Sequence, residues 1–184
     1  LLVAPFDAEL FGHWWFEGPS FLAELFRQGP SNGVPFTRLR DVLDGSQQLQ
    51  LCDPCPSSWG QGGYHNYWLN DSNAWVVPEW EHAGEAMVQR CSRGVAREAD
   101  LQLLSQAARE LLLAQSSDWS FILRAGTTTG LARERIERHL KRFWMLMAAM
   151  DGSGDLPEGW LEEVQADDRL FPLIQPLDWA KVGS

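Results

Sequence analysis

Leu1-Leu2-Val3-Ala4-Pro5-Phe6-Asp7-Ala8-Glu9-Leu10-Phe11-Gly12-His13-Trp14-Trp15-Phe16-Glu17-Gly18-Pro19 is the stretch on which the fold turns. Its apolar opening, Leu1–Phe6, reads as a buried strand. Pro5 has no N–H to donate and fits only near the end of one. The strand stops on a carboxylate, Asp7, and runs into a cluster of aromatic, His and acidic residues. In α/β barrels, catalytic groups sit at the C-terminal ends of buried strands. Flat rings beside carboxylates suit a sugar ligand, the rings for stacking and the acids for proton transfer. The motif opens the sequence, so the strands that should precede it are expected elsewhere.

The chain has 184 residues, enough for a buried core. Its formal charge of −10 argues against nucleic acid or an anionic membrane surface, both of which need a basic patch. A neutral polysaccharide is compatible with that charge. Ten Trp are unusual, because Trp either fills a core or stacks on something flat. Cys52 and Cys55 form a lone CxxC and Cys91 stands apart, which reads as free thiols in a reducing compartment. No apolar run is long enough to span a bilayer, and Leu1–Phe6 lacks the basic flank of a signal peptide. A cytoplasmic protein is expected.

Outward from the motif, Gly18-Pro19-Ser20 starts a helix with apolar residues at Phe21, Leu22, Leu25 and Phe26. Gly29–Gly33 stops it. Phe36–Leu43 is ambiguous, Leu49–Leu51 reads as a brief strand, and residues 52–70 read as loop. Helical spacing follows over Asn73–Arg93, then Arg97–Gln115. A long helix runs from Thr127-Thr128-Thr129 to about Met150, and a shorter one over Pro157–Ala166. Phe171–Ile174 and Trp179 are apolar anchors for the tail. The expected fold is mainly α. It holds the last strand and helix of a barrel (residues 1–32), a connecting segment with an aromatic loop (33–72) and a helical C-terminal domain (73–184).

Read from the residues alone, Asp7 is either a general acid/base or an ordinary cap or ion-pair partner. If residues 7–9 stay extended, Asp7 and Glu9 face one side about 7 Å apart, near the spacing of an inverting pair. Otherwise Glu9 is structural. His13 is a ligand, a substrate contact or a core imidazole. Without HxH or HExxH, no metal is expected. Trp59 and Trp68 flank a glycine-hinged loop and are either stacking platforms or an aromatic clamp. Ser116-Ser117-Asp118-Trp119 reads as a helix C-terminus, where Asp118 opposes the macrodipole and needs a partner. Trp119 alone reads as core.

Ala4–Pro19 closely resembles the fourth sequence region of glycoside hydrolase family 57. Ser57-Ser58-Trp59-Gly60 with Gly62-Gly63 and Trp68-Leu69, and Gln115–Trp119, resemble stretches of the α-glucan branching enzymes of that family. Asp168-Arg169-Leu170-Phe171-Pro172 is similar to its C-terminus. The resemblance implies a retaining enzyme that cuts α-1,4 linkages and forms α-1,6 branches in glycogen- or starch-type glucans, without a cofactor. It implies an incomplete (β/α)7 barrel followed by a helical domain, with Asp7 as acid/base. It makes Trp59 and Trp68 acceptor-side residues, and His13, Trp14, Asp118 and Trp119 further substrate contacts. The family's nucleophile, a Glu on an earlier strand, has no counterpart in this sequence. A missing N-terminal barrel, on the same or another chain, is therefore an expected partner beside the α-1,4-glucan. The 184-residue chain alone is expected to be inactive. The alternatives are a hydrolytic, amylase-type enzyme of the same family and a non-catalytic glucan-binding module.

Overall fold

A computed structural model describes residues 1–45, 48–95 and 97–183. Positions 46, 47, 96 and 184, which fall in the expected connecting segment and helical domain, lie outside the described residues. The chain divides into two compact units, Leu1–Pro54 and Cys55–Ser184.

In the first unit, α1 spans Gly18–Gln28 and α2 spans Leu39–Leu43. Pro19 lies in the first turn of α1, where a missing N–H costs nothing. The expected strand Leu1–Phe6 is not formed. The segment is irregular, and Leu2 and Phe6 are exposed. A strand satisfies its backbone on a neighbour, and the described residues contain no strand to provide one. Leu49–Leu51 forms no strand for the same reason. The apolar face of α1 stays partly open to solvent at Phe21, Leu25 and Phe26.

The second unit holds the core. α3 (Val77–Ser92) carries Pro78 in its first turn and buries Ala83, Met87 and Cys91, a single helical stripe. α4 (Glu98–Ala114) buries Leu104, Ala107, Ala108, Leu111 and Ala114. Asp100 in its first turn accepts two hydrogen bonds from Arg97, at 2.6 and 3.1 Å. That pairing holds the Asp100 carboxyl below its ordinary pKa.

α6 (Thr129–Asp151) is the longest helix, about 34 Å at 1.5 Å per residue. Its buried positions, Ala132, Ile136, His139, Leu140, Phe143, Leu146 and Met147, recur every three or four residues. This stripe faces α4, its main packing partner. α5 (Ser117–Ala125) and α7 (Trp160–Asp167) complete the helical domain expected from the sequence.

The tail is anchored by only some of the residues expected. Ile174 and Trp179 pack on the core, whereas Phe171 and Leu173 are exposed. The Cys91 thiol donates to the Pro176 carbonyl at 3.1 Å, tying the tail to α3. Burial raises the pKa of that thiol. Iodoacetamide at pH 8 should therefore label the exposed Cys52 and Cys55 and leave Cys91 unmodified until the protein is denatured. Peptide mass mapping reads this directly, and equal labelling of all three would show that the tail does not stay docked.

Candidate functional site

Two groups of the expected site residues lie in different units. Asp7, His13 and Trp14 belong to the first. The Asp7 carbonyl accepts from Leu10 N at 3.1 Å and the Glu9 carbonyl from His13 N at 3.2 Å, so the chain turns here. Glu9 has αR dihedrals. The extended 7–9 arrangement, and with it a same-side Asp7/Glu9 pair, is not formed. Local carbonyls capture N–H groups that a strand would have sent to a neighbour. A tight turn, Leu10–Trp14, follows and is closed by Trp15 N on the Leu10 carbonyl at 2.8 Å.

Aromatic rings seat this turn on α1. Phe6 meets Phe11 with centroids 5.7 Å apart, Phe11 meets Trp15 at 5.8 Å, and Trp15 meets Phe21 at 4.8 Å. Gly18 makes the approach possible, because a Cβ there would lie 2.8 Å from Phe11 Cα. Asp7 and His13 are left exposed, as is Trp14 at 75%. The His13 ring meets the Trp14 ring edge-on at 4.7 Å. The segment thus presents a carboxyl, an imidazole and an indole to solvent from one rigid turn.

The second group is an aromatic cluster. Trp59 and Trp68 stand 6.0 Å apart. Tyr67 lies 5.9 Å from Trp59 and 4.8 Å from Phe121 of α5. Phe121 is also 6.0 Å from both Trp rings. The Arg124 guanidinium sits 5.9 Å from the Tyr67 centroid, a cation–π contact.

The loop reaches this shape through Gly60, whose φ of 103° few side chains tolerate. A Cβ there would also lie 3.0 Å from that of Tyr67. Ser58 Oγ accepts from His65 N at 2.6 Å and pins the far end, where His65 has a left-handed φ of 66°. Trp59 remains 59% exposed. An exposed indole backed by three other rings is a flat, stiff surface suited to stacking on a pyranose ring.

Asp118 does not lie at a helix C-terminus. α4 ends at Ala114 and a new helix starts at Ser117, so Asp118 occupies the first turn of α5. There the macrodipole favours an acid rather than opposing it. Ser116 Oγ donates to Asp118 Oδ2 at 3.2 Å. Asp118 is exposed, one turn before Phe121 on the same side of α5. Trp119 is half-buried against the core, and its Nε1 donates to the Leu113 carbonyl at 2.7 Å, bracing the α4–α5 corner.

A buried polar network was not legible in the sequence. Glu110 on α4 is fully buried. Gln106 Nε2 donates to its Oε1 at 2.7 Å, and His139 Nδ1 on α6 lies 2.7 Å from its Oε2. Arg142 donates to Asp168 at 2.5 Å and to Asp167 at 2.9 Å. Burial penalises the Arg142 charge, but the Asp167 bond and the fields of Glu110 and Asp168 outweigh it and raise its pKa.

Glu110, His139 and Asp168 each offer a ligand atom within 4.8 Å of the others, a spacing compatible with a cation. Those atoms are already engaged, and Arg142 brings its own positive charge to Asp168. The arrangement reads as a hydrogen-bonded joint between α4, α6 and the segment after α7. Among the described residues, no helix is long and apolar enough to cross a membrane.

Comparison with known proteins supplies the family. The family model described as 1,4-alpha-glucan branching enzyme, C-terminal, matches residues 79–179. The chain is 31% identical over 179 residues to a 1,4-alpha-glucan branching enzyme of Thermococcus kodakarensis, covering 93% of this chain and 26% of that protein. A probable 1,4-alpha-glucan branching enzyme of Mycobacterium tuberculosis is 30% identical over 171 residues, covering 86% of this chain and 32% of that protein.

Among solved structures, the GH57-type branching enzyme of Pyrococcus horikoshii aligns with a TM-score of 0.76 at 31% identity. That alignment covers 96% of this chain and 34% of the other. The alpha-amylase AmyC of Thermotoga maritima aligns with a TM-score of 0.69 at 33% identity, over 97% and 33% of the two chains. The chain therefore spans about a quarter to a third of the length of the relatives it matches. With the helical fold in place and the aromatic loop built onto it, the chain belongs to the family of 1,4-α-glucan branching enzyme C-terminal domains.

Proposed function

We propose that this chain supplies the acid/base and the acceptor-side surface of a retaining α-glucan branching enzyme. The observation that carries the reading is the exposed Trp59 ring, held in one cluster with Tyr67, Trp68 and Phe121. Asp7 protonates the leaving glycosidic oxygen and then deprotonates the incoming sugar hydroxyl. The nucleophilic carboxylate comes from an N-terminal barrel of the same polypeptide, and the two carboxyls stand about 5–5.5 Å apart in a retaining mechanism. Trp59 and Trp68 stack on the acceptor glucan and keep water from the glycosyl-enzyme, which favours transfer over hydrolysis. His13, Trp14 and Asp118 contact the glucan as exposed polar and aromatic groups. Trp119 acts indirectly, by bracing the corner that presents α5. The three free thiols fit a reducing compartment, the cytoplasm.

Incubating the full-length polypeptide with amylose tests this. Proton NMR should show new α-1,6 linkages, with few new reducing ends. Trp59→Ala should raise the share of hydrolysis several-fold at nearly unchanged stability, because Trp59 is largely exposed. An unaltered product ratio would make Trp59 a clamp. Reducing ends without branches would favour the hydrolytic alternative, which the likeness to the Thermotoga maritima alpha-amylase keeps in view. Glucan binding without turnover would favour a binding module.

A further inference from the structure

We propose that Asn73 is a positioning residue whose buried side chain fixes the spacing of the stacking rings by joining the aromatic loop to α5. The inference rests on the reading of the aromatic cluster as a glucan-stacking surface. Asn73 is fully buried. Its Oδ1 accepts from Asn70 N at 2.8 Å. Its Nδ2 donates to the Tyr67 carbonyl and to the Ser120 carbonyl, both at 3.2 Å. One acceptor and two donors meet one N–H and two carbonyls, a match that suits a primary amide.

The placement of the two carbonyls carries the argument. Tyr67 immediately precedes Trp68, and Ser120 immediately precedes Phe121. The amide thus bolts together the peptide units from which two rings of the cluster project, and its own bond to Ser120 spans 47 positions of sequence. Asn70 reinforces the loop side, with its Nδ2 donating to the Asn66 and Tyr67 carbonyls at 3.2 Å. Phe121 is the ring shared by all the others, within 4.8 to 6.0 Å of Tyr67, Trp59 and Trp68. Without the Nδ2 bonds, the Tyr67 carbonyl keeps only the Asn70 amide as a side-chain donor, the Ser120 carbonyl loses its tie to the loop, and the loop can slide along α5. A shift of about 1 Å in a positioning surface is enough to weaken the fit of the acceptor ring and misalign its hydroxyl.

Asn73→Asp in the full-length polypeptide keeps the shape and the acceptor while deleting both donors. The maltooligosaccharide acceptor KM should rise about five- to tenfold, and the hydrolysis share should rise with it. Total glycosidic cleavage at saturating donor should stay within about twofold. Phe121→Leu, which removes the shared ring without placing a charge in the core, should move the same two readouts. It also serves if Asn73→Asp does not fold. Combining either change with Trp59→Ala should have less than the product of the single effects.

A lower melting temperature with unchanged acceptor KM and product ratio, in both variants, would make Asn73 and Phe121 purely structural and overturn the proposal. If Trp59→Ala and Trp68→Ala also leave both readouts unmoved, it is the stacking surface itself that fails.

Discussion

Changing Asp7 to Asn in the full-length polypeptide should lower glucan cleavage by about a thousandfold, with circular dichroism and melting temperature unchanged. The magnitude follows from the usual worth of a positioned general acid/base, about 10²–10⁴ in rate. Asn preserves the shape of Asp and can neither donate a carboxylic proton to the leaving oxygen nor take one from the incoming hydroxyl. The fold is spared because Asp7 is exposed, and exposed substitutions shift stability by about 0.5 kcal/mol or less. The turn is held instead by backbone bonds and by the Phe6–Phe11–Trp15–Phe21 rings. Rates measured on amylose with an activated-leaving-group substrate in parallel sharpen the test. A good leaving group needs less protonation, so it should recover part of the loss in the glycosylation step. Equal rates for wild type and variant on both substrates would remove Asp7 from the mechanism.

The largest effect on stability should come from Glu110→Ala, a loss of about 3–5 kcal/mol, the size expected for stranding buried polar partners and opening a cavity together. For a chain of this size that is a fall of roughly 10 °C in melting temperature. The substitution leaves His139 Nδ1 and Gln106 Nε2 without their acceptor in a fully buried place and opens a small cavity. Glu110→Gln should cost less, about 1–2 kcal/mol, because it keeps the volume and one carbonyl acceptor. The order wild type, Gln, Ala in thermal unfolding is the signature of the network. A loss below about 1 kcal/mol for Ala would mean that water replaces the carboxylate, and the joint would then not be the dry polar core described above.

The helical domain was legible because its code is local. The apolar residues of α6 recur every three or four positions, as do those of α3 and α4, and each pattern names both the element and its buried face. The strand expected at Leu1–Phe6 is not formed among the described residues because its partners are not local. An apolar run says that a segment can be buried, but pairing needs a neighbour.

The Asp118 error has a different origin. α4 stops and α5 restarts with no Gly or Pro between them. The available signal was Ser116-Ser117-Asp118, an N-cap residue type with an acid in the following turn. Of the aromatic cluster, Trp59 and Trp68 stood out by composition and loop context. Phe121 has no such loop context in the sequence, and Asn73 stands at the edge of a helical pattern. Glu110 and His139 are 29 residues apart, and Glu110 sits beside leucines in a sequence that reads as an ordinary amphipathic helix. Only the packing of α4 at the centre of the unit turns its polar side inward.

Apart from Pro176 in the tail, every buried apolar side chain among the described residues lies between Val76 and Val164. Mutational damage should therefore be sorted by position along the chain. In a library scored for abundance, substitutions from Val76 onward dominate the losses. In a library scored for activity among well-expressed variants, hits should concentrate in the first 70 residues, where the protein exposes its aromatic and acidic groups and has little core to lose. The two scores, measured on the same variants, would separate the residues that build this domain from those that put it to use.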